Sequence, residues 1–328
     1  MEENMTKLVG IEYSMGSVRS SAEEVAYFFG IEEKKVLRNG PLGLYKFSNL
    51  EEPVSVTAQV VIRLLKRKGV SLSDIDGIFG VNNFTSETIM PSYTVAVAKE
   101  LGLQSIIADQ VGLGCGGIGQ VLRAAFNQLR VDALDKKISY YLVVTAEKID
   151  RILNPNDRSG ILFSDSAVAC LVSNDPNVDA AFDILSVQTQ GIVENNIEVL
   201  EIKSPFIDGT NRFAMKGTEV FQFGSNICKY VLQIADLNKV PSGTFLIPHQ
   251  ANSRMIKMIK RSVGKDSTVY DKGIVNHGNT LNSSVLIALK DASDADEILA
   301  NSSVWATPFG AELQVGLIRL KAINPSIV

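Results

Sequence analysis

The 328-residue chain predicts an α/β layered protein with a largely parallel sheet. Apolar runs of strand length alternate with amphipathic helical stretches, and the alternation occurs twice, on either side of a polar break. The composition agrees: 45% hydrophobic and 21% charged residues are those of an ordinary folded enzyme with a large core.

In the first half, Lys7 to Ile11 reads as a strand, Val54 to Lys68 as an amphipathic helix and Ile75 to Val81 as a strand entered through a Ser-Asp turn. Pro91 to Leu101 has helical spacing, Ser105 to Ala108 is a short strand and Ile118 to Leu129 is a helix. Ser139 to Thr145, rich in Tyr, Leu and Val, is a buried strand. Ile161 to Phe163 and Val168 to Val172 read as a hairpin pair. The turn-forming run Asn174-Asp175-Pro176-Asn177 then marks a boundary between a first unit, residues 1–174, and a second, residues 175–328. The second unit repeats the theme. It has a strand at Phe182 to Val187, a helix over Gly217 to Leu237 and a strand at Thr244 to Ile247. Helices at Asn252 to Val263 and Asn282 to Leu289 follow, and the strand pair Ser303 to Ala306 and Glu312 to Leu320 closes the chain. Two similar halves packed about a pseudo-twofold axis would bring one helix start from each to a shared pocket.

The formal net charge of -4 argues against a general nucleic-acid binder, so any basic contact must be local. Three cysteines, at 115, 170 and 228, show no CxxC spacing; they fit a reducing compartment and supply no metal-ligand cluster. The amino terminus lacks the basic start and apolar run of a signal peptide, and no uncharged stretch is long enough for a membrane span. The expected location is the cytoplasm.

Chemistry concentrates in three motifs. Gly112-Leu113-Gly114-Cys115-Gly116-Gly117 formally satisfies the G-x-G-x-x-G dinucleotide pattern, a weak signal here because the strand ends several residues earlier. The competing reading is a reactive thiol. A cysteine at a helix amino terminus faces unpaired N–H groups that lower its pKa, and the flanking glycines leave room for a substrate. Cys170 and Cys228 sit in apolar strand and helix patterns and read as inert core. His249, in Pro248-His249-Gln250-Ala251-Asn252, emerges where a parallel strand ends, the usual edge for ligands in open α/β sheets. In the helix behind it, Met255, Ile256, Ile259 and Val263 form a core stripe. Arg254, Lys257, Lys260 and Arg261 gather opposite, either as a solvated face or as a dock for a phosphate or an acidic carrier protein. Asn279, in Asn276-His277-Gly278-Asn279-Thr280, either caps a turn or offers an amide N–H beside His249, a two-donor site for a developing enolate oxygen. His277 reads as a structural neighbour that shapes this turn.

These residues resemble the β-ketoacyl-acyl-carrier-protein synthase III group of the thiolase-fold condensing enzymes. The likeness covers nearly the whole chain. Its landmarks are Asp109 to Gly117, Asn156-Asp157-Arg158, Met215 to Phe221, His249 to Asn252, His277 to Thr280 and the closing Phe309-Gly310 loop. The resemblance implies a five-layered αβαβα fold of two similar halves, normally a homodimer, with a heterodimer of two such subunits as the other possibility. It implies Cys115 as acyl-accepting nucleophile, His249 and Asn279 as donors to the extender's thioester carbonyl, and the N–H groups of Cys115 and Ala311 as a second oxyanion hole. Arg38, Arg158, Gly217, Asn252, Arg254 and Phe309 fall at substrate-binding positions, and Lys257, Lys260 and Arg261 extend the basic face that would dock a carrier protein. The substrates implied are acyl-CoA and a malonyl or β-ketoacyl thioester on acyl carrier protein, with no resident cofactor and no metal.

The chain also departs from the pattern. The family's Gly-Asp-Gly-Ala stretch is Ser164-Asp165-Ser166-Ala167, and the glycine run of its closing loop is reduced to Gly310-Ala311-Glu312. Met90 stands where relatives often carry a phenylalanine that reaches into the partner's acyl pocket, and Glu87 lies near the place from which some relatives supply a glutamate base. These differences point to a specialised fatty-acid or polyketide-like pathway. Two alternatives share the fold: transfer of the acyl group to another nucleophile without decarboxylation, and a subunit role in a heterodimeric condensing enzyme.

Overall fold

A computed structural model describes residues 6–83, 86, 90–111, 114–153, 157–193, 200–202 and 213–328. The strands are β1 (Thr6–Met15), β2 (Val18–Ser21), β3 (Gly43–Lys46), β4 (Ile75–Val81), β5 (Ile107–Gln110), β6 (Tyr140–Glu147), β7 (Ser166–Ser173) and β8 (Phe182–Gly191). They continue with β9 (Leu200–Ile202), β10 (Phe213–Met215), β11 (Phe245–Pro248), β12 (Thr268–Val269), β13 (Ser303–Thr307), β14 (Phe309–Gly310) and β15 (Gln314–Ala322). The helices are α1 (Ala22–Phe28), α2 (Glu33–Asn39), α3 (Pro53–Lys68), α4 (Tyr93–Glu100), α5 (Gly117–Leu134), α6 (Gly217–Ser225), α7 (Ile227–Ala235), α8 (Ser253–Val263), α9 (Gly273–His277) and α10 (Ser284–Asp294). None of them is long and apolar enough to cross a membrane.

One long sheet organises the molecule, in the order β12-β11-β13-β15-β8-β1-β7-β6-β4-β5 with β14 paired to β15. It is joined at its middle by antiparallel pairing of Thr6–Leu8 with residues 182–184. Period-2 alternation with both faces covered explains the near-continuous apolar runs of its strands. In β7, Val168, Cys170 and Val172 face α5 and α10, whereas Ala167, Ala169 and Leu171 face α3 and α4. In β11 and β13, Phe245, Ile247, Val304 and Ala306 face the same central helices, whereas Leu246 and Trp305 face α6, α7 and α8. The layers therefore run α3/α4, sheet, α5/α10, sheet, α6/α7/α8, a five-layered αβαβα stack. Helices α5 and α10 lie buried at its centre because their apolar residues meet strands of both parts of the sheet.

Three expectations are corrected. The sheet is mixed rather than largely parallel. Among the described residues, the strand pairs that run parallel are β4 with β5 and β6, and β11 with β12 and β13. The strands between them pair antiparallel, and side-chain periodicity carries no information on strand direction. Ile161 to Phe163 forms no hairpin with β7. It belongs to a 3-10 turn, Arg158–Leu162, started by Asp157, whose side chain accepts the Ser159 N–H at 2.9 Å. Strand β7 pairs with β1 and β6 instead. The single helix expected over Gly217 to Leu237 is broken at Asn226, whose side-chain amide bonds the Gln222 carbonyl at 3.1 Å and closes α6 before α7 begins.

Candidate active site

Cys115 sits two residues ahead of α5, in the turn that follows β5. This turn is held from below by a buried polar network at the carboxyl ends of the parallel strands. The Gly114 N–H donates to Asn83 Oδ1 at 2.7 Å, and Asn83 Nδ2 donates to Glu147 Oε1 at 2.9 Å. Asn282, which leads into α10, donates to the same Glu147 oxygen at 3.0 Å and accepts the Ile118 N–H at 3.1 Å. Asn83, Glu147 and Asn282 are all buried. A shared carboxyl thus ties the residues on both sides of Cys115 to β4, β6 and the second half of the chain. Gly114 has a φ of 73°, which a side chain at this place would strain.

The Cys115 side chain packs against a small apolar cluster of Ile149, Ile152, Leu153, Phe163 and Leu281. Burial pushes its thiol well above the ordinary cysteine value, and the carboxyls of Glu312 and Glu147 push the same way. This corrects the expected lowering by the helix start. The helix start is already partnered by an anion: Glu312 Oε1 accepts the Gly116 N–H at 2.7 Å, and the same carboxyl lies beside the backbone of Cys115.

His249 follows β11, with its N–H bonded to the Thr307 carbonyl at 3.1 Å. Its ring stands edge-on to Phe309 at 5.3 Å between centroids, and its Nδ1 is buried without a hydrogen-bond partner among the described residues. Burial depresses its pKa to about 3, so the imidazole is neutral in the working pH range. Phe309 leads into Gly310, where a Cβ would lie 2.7 Å from the Cys115 nitrogen. The short strand β14 therefore connects the histidine to the nucleophile turn, and Ala311 follows directly.

Asn279 arrives by a different route. Its N–H donates to the Leu162 carbonyl at 2.7 Å, its carbonyl accepts the Ser164 N–H at 3.0 Å, and it makes a parallel bridge with Phe163. A turn from the second half is thus stitched onto the segment before β7. Gly278 permits the approach: it has a φ of 74°, and a Cβ there would meet Ser164 Oγ at 2.8 Å and the Leu162 carbonyl at 2.9 Å. Asn279 Oδ1 accepts the Leu281 N–H at 2.9 Å, which leaves the amide NH2 as the donating end. Phe163 and Leu281, which flank Asn279 in space and in sequence, both touch the cluster that packs on Cys115.

The structure places the other sequence-predicted residues as follows. Arg38 on α2, Arg158 on the 3-10 turn and Arg254 on α8 are exposed, and α2 packs against both of the other elements. Arg254 lies over the Phe221 ring at 5.3 Å. Asn252 caps α8 by accepting the Met255 N–H at 2.8 Å, and Gly217 is exposed at the first position of α6. Lys257, Lys260 and Arg261 are exposed on α8, with Lys260 bound to Asp271 at 3.0 Å. Met90 is 87% exposed, and Glu87 lies outside the described residues. His277 bonds Asp291 at 2.6 Å, and Tyr13 bonds the other oxygen of that carboxyl at 2.7 Å. Asp165 is buried and accepts the Phe47 and Ile149 N–H groups, each at 2.9 Å.

Sequence reasoning missed Asn83, Glu147 and Asn282, and it noted Glu312 only as a departure from a glycine run. A usable signal was the position of Asn83 and Glu147 where parallel strands end, the edge at which ligand sites gather.

Comparison with known proteins agrees with this architecture. The family model for 3-oxoacyl-(acyl-carrier-protein) synthase III matches residues 111–191, and the model for the C terminal of the same family matches residues 241–321. A beta-ketoacyl-(acyl-carrier-protein) synthase III of Clostridium perfringens is 25% identical over 287 residues, covering 84% of this chain and 87% of the relative. That of Campylobacter fetus is 29% identical over 278 residues, covering 80% and 82%. Among solved structures, the 3-oxoacyl-(acyl carrier protein) synthase III of Pseudomonas aeruginosa superposes with a TM-score of 0.81 at 20% identity, covering 97% of this chain and 98% of the other. A priming beta-ketosynthase from a polyketide biosynthetic pathway superposes with a TM-score of 0.83 at 23% identity, covering 98% and 97%. With a segment in each half of the chain matched by the family's models, and with curated relatives aligned over most of its length, the chain belongs to the 3-oxoacyl-(acyl-carrier-protein) synthase III family of C–C bond-forming condensing enzymes.

Proposed function

We propose that Cys115 takes an acyl group from an acyl-CoA or acyl-carrier-protein thioester and that His249 and Asn279 drive its condensation with a malonyl thioester. What supports this reading is that two turns from the far half of the chain border the surroundings of one cysteine, that of His249 through Phe309 and Gly310 and that of Asn279 through Phe163 and Leu281. One presents a neutral buried imidazole and the other an amide turned so that its NH2 donates.

In the first stage the sulfur of Cys115 attacks the thioester carbonyl. The C–S bond to the carrier breaks, and the thiol proton ends on the departing carrier thiolate. In the second stage the malonyl carboxylate leaves as carbon dioxide, and its bonding electron pair forms an enolate whose oxygen accepts from His249 and Asn279. A neutral imidazole suits this role, since it donates a hydrogen bond without giving up a proton. The enolate carbon then attacks the acyl carbonyl, expels the Cys115 thiolate and releases a β-ketoacyl thioester. Thioester substrates and side chains account for every step, with no resident cofactor. Arg38, Arg158 and Arg254 are assigned to the phosphates of the entering CoA, and the basic face of α8 to an acidic carrier protein. Met90 is assigned to a subunit contact in a dimer.

Incubation with acyl-CoA donors of graded chain length, followed by intact-protein mass spectrometry, tests the first stage. One acyl mass is expected, and Cys115→Ala should abolish it; an unchanged adduct would refute the assignment. Asn279→Ala should still acylate while losing about 100-fold to 1000-fold in decarboxylative turnover, the usual cost of one oxyanion donor. Equal turnover in that variant would favour acyl transfer to a different nucleophile.

A further inference from the structure

Glu312 stands where the related family runs glycines, yet its side chain is built into the site. Its Oε1 accepts the Gly116 N–H at 2.7 Å, and its Oε2 lies beside the Cys115 nitrogen, since a Cβ on Gly310 would fall 2.1 Å from the one and 2.7 Å from the other. Three glycines form the cradle. A Cβ on Gly114 would fall 1.9 Å from Oε2, one on Gly310 2.1 Å from Oε2, and one on Gly116 2.6 Å from Oε1. Oε2 is buried with no hydrogen-bond partner among the described residues. Leu313, in the left-handed region with a φ of 61°, and its N–H bond to the Gly310 carbonyl at 3.0 Å close the turn that aims the glutamate inward.

We infer that Glu312 is the resident anion of the site over Cys115: its carboxyl holds the Gly116 N–H and fills the space beside the Cys115 N–H in the free enzyme, and an acyl thioester reaches that N–H only by displacing it. The inference rests on the reading of Cys115 as acyl acceptor. Two effects act together. A carboxylate beside these donors occupies the place of the oxyanion that forms when the thiol attacks. A negative charge beside the sulfur also opposes the thiolate, so the resting thiol is shielded from adventitious electrophiles. Burial raises the carboxyl of Glu312 to about 7, and neutralising it weakens both effects. Glu147, at the end of β6, is the other carboxyl acting on the thiol; Gln314 from β15 is neutral, and the His249 ring, itself neutral, stands edge-on to Phe309.

The test compares the native enzyme with Glu312→Gln and Glu312→Gly. Alkylation of Cys115 by iodoacetamide is followed from about pH 6 to about pH 10, and acylation by acyl-CoA is followed by mass. The alkylation midpoint should fall by about one pH unit or more in both variants, the scale of removing a neighbouring like charge. Acylation at neutral pH should quicken about tenfold in Glu312→Gly, as the donors are released. Thermal unfolding identifies any variant that fails to fold; if Glu312→Gln does, Glu312→Gly, which removes the buried group altogether, carries the comparison. Superimposable alkylation profiles, or acylation about tenfold slower in Glu312→Gly, would overturn the inference. A lowered alkylation midpoint with no acyl adduct on any of the three proteins would uphold the hold of Glu312 on the thiol and refute the acyl-acceptor reading instead.

Discussion

Replacing Asn83 by alanine should damage both the stability of the chain and the reactivity of Cys115, although the hydrogen bonds of its side chain go to Gly114 and Glu147. The side chain makes two bonds that span the network, accepting the Gly114 N–H at 2.7 Å and donating to Glu147 Oε1 at 2.9 Å. Losing a neutral bond costs about 1 kcal/mol and losing one to a carboxyl up to about 3, so the sum is about 2–4 kcal/mol. At about 2 °C per kcal/mol for a chain of this size, the unfolding midpoint should fall by about 4–8 °C. The kinetic effect should be larger. With Gly114 released, the turn that aims Cys115 loses its tie to β4, and a misplacement of about 1 Å costs about 100-fold in rate. Thermal unfolding gives the first quantity, and the rate of adduct formation with an acyl-CoA at saturating donor gives the second. Asn83→Asp refines the test. It keeps the acceptor for Gly114 but sets a second carboxyl against Glu147, so it should be the less stable of the two variants while retaining more of the acylation rate. Native-like melting and native-like acylation in Asn83→Ala would refute the claim that this network positions the nucleophile.

Two further outcomes follow from the histidines. Burial depresses His249 from 6.5 to about 3, so the unfolded chain binds the extra proton across that window. Its contribution to stability is complete above about pH 6.5 and is lost as the pH falls toward 3; between 6.5 and 5 the loss is about 2 kcal/mol. Urea unfolding at both pH values should therefore show a smaller acid loss in His249→Gln than in the native chain, and equal losses would contradict a neutral buried imidazole. His277 is bonded to Asp291 at 2.6 Å in a cluster with Tyr13, so His277→Ala should cost about 1–3 kcal/mol of stability. Condensing turnover should stay within about threefold of native, well short of the loss expected for a donor to the reacting oxygen; a collapse of turnover in a folded His277→Ala protein would move His277 into the reacting group.

Much of the fold and of the site was legible from residues read a few at a time. Apolar runs in β7 and β13, amphipathic spacing in α3 and α8, and the polar motifs around Cys115, His249 and Asn279 are local patterns, set by which side chains suit a strand, a helix or a turn. Strand direction was not legible, because an apolar run such as Val168 to Val172 reads the same in either direction. The three residues Ile161 to Phe163 were too short to separate strand from 3-10 turn, and the Asp157 side chain decided the matter. The chain by itself determined that a thiol, an imidazole and an amide would stand at element ends in an α/β framework. Only the tertiary structure decided how they are held and what restrains them. Asn282 meets Glu147 across 135 residues, and Glu312 meets Gly116 across 196. The energy of such contacts depends on the distance and burial of groups from separate layers, and no local spacing encodes either.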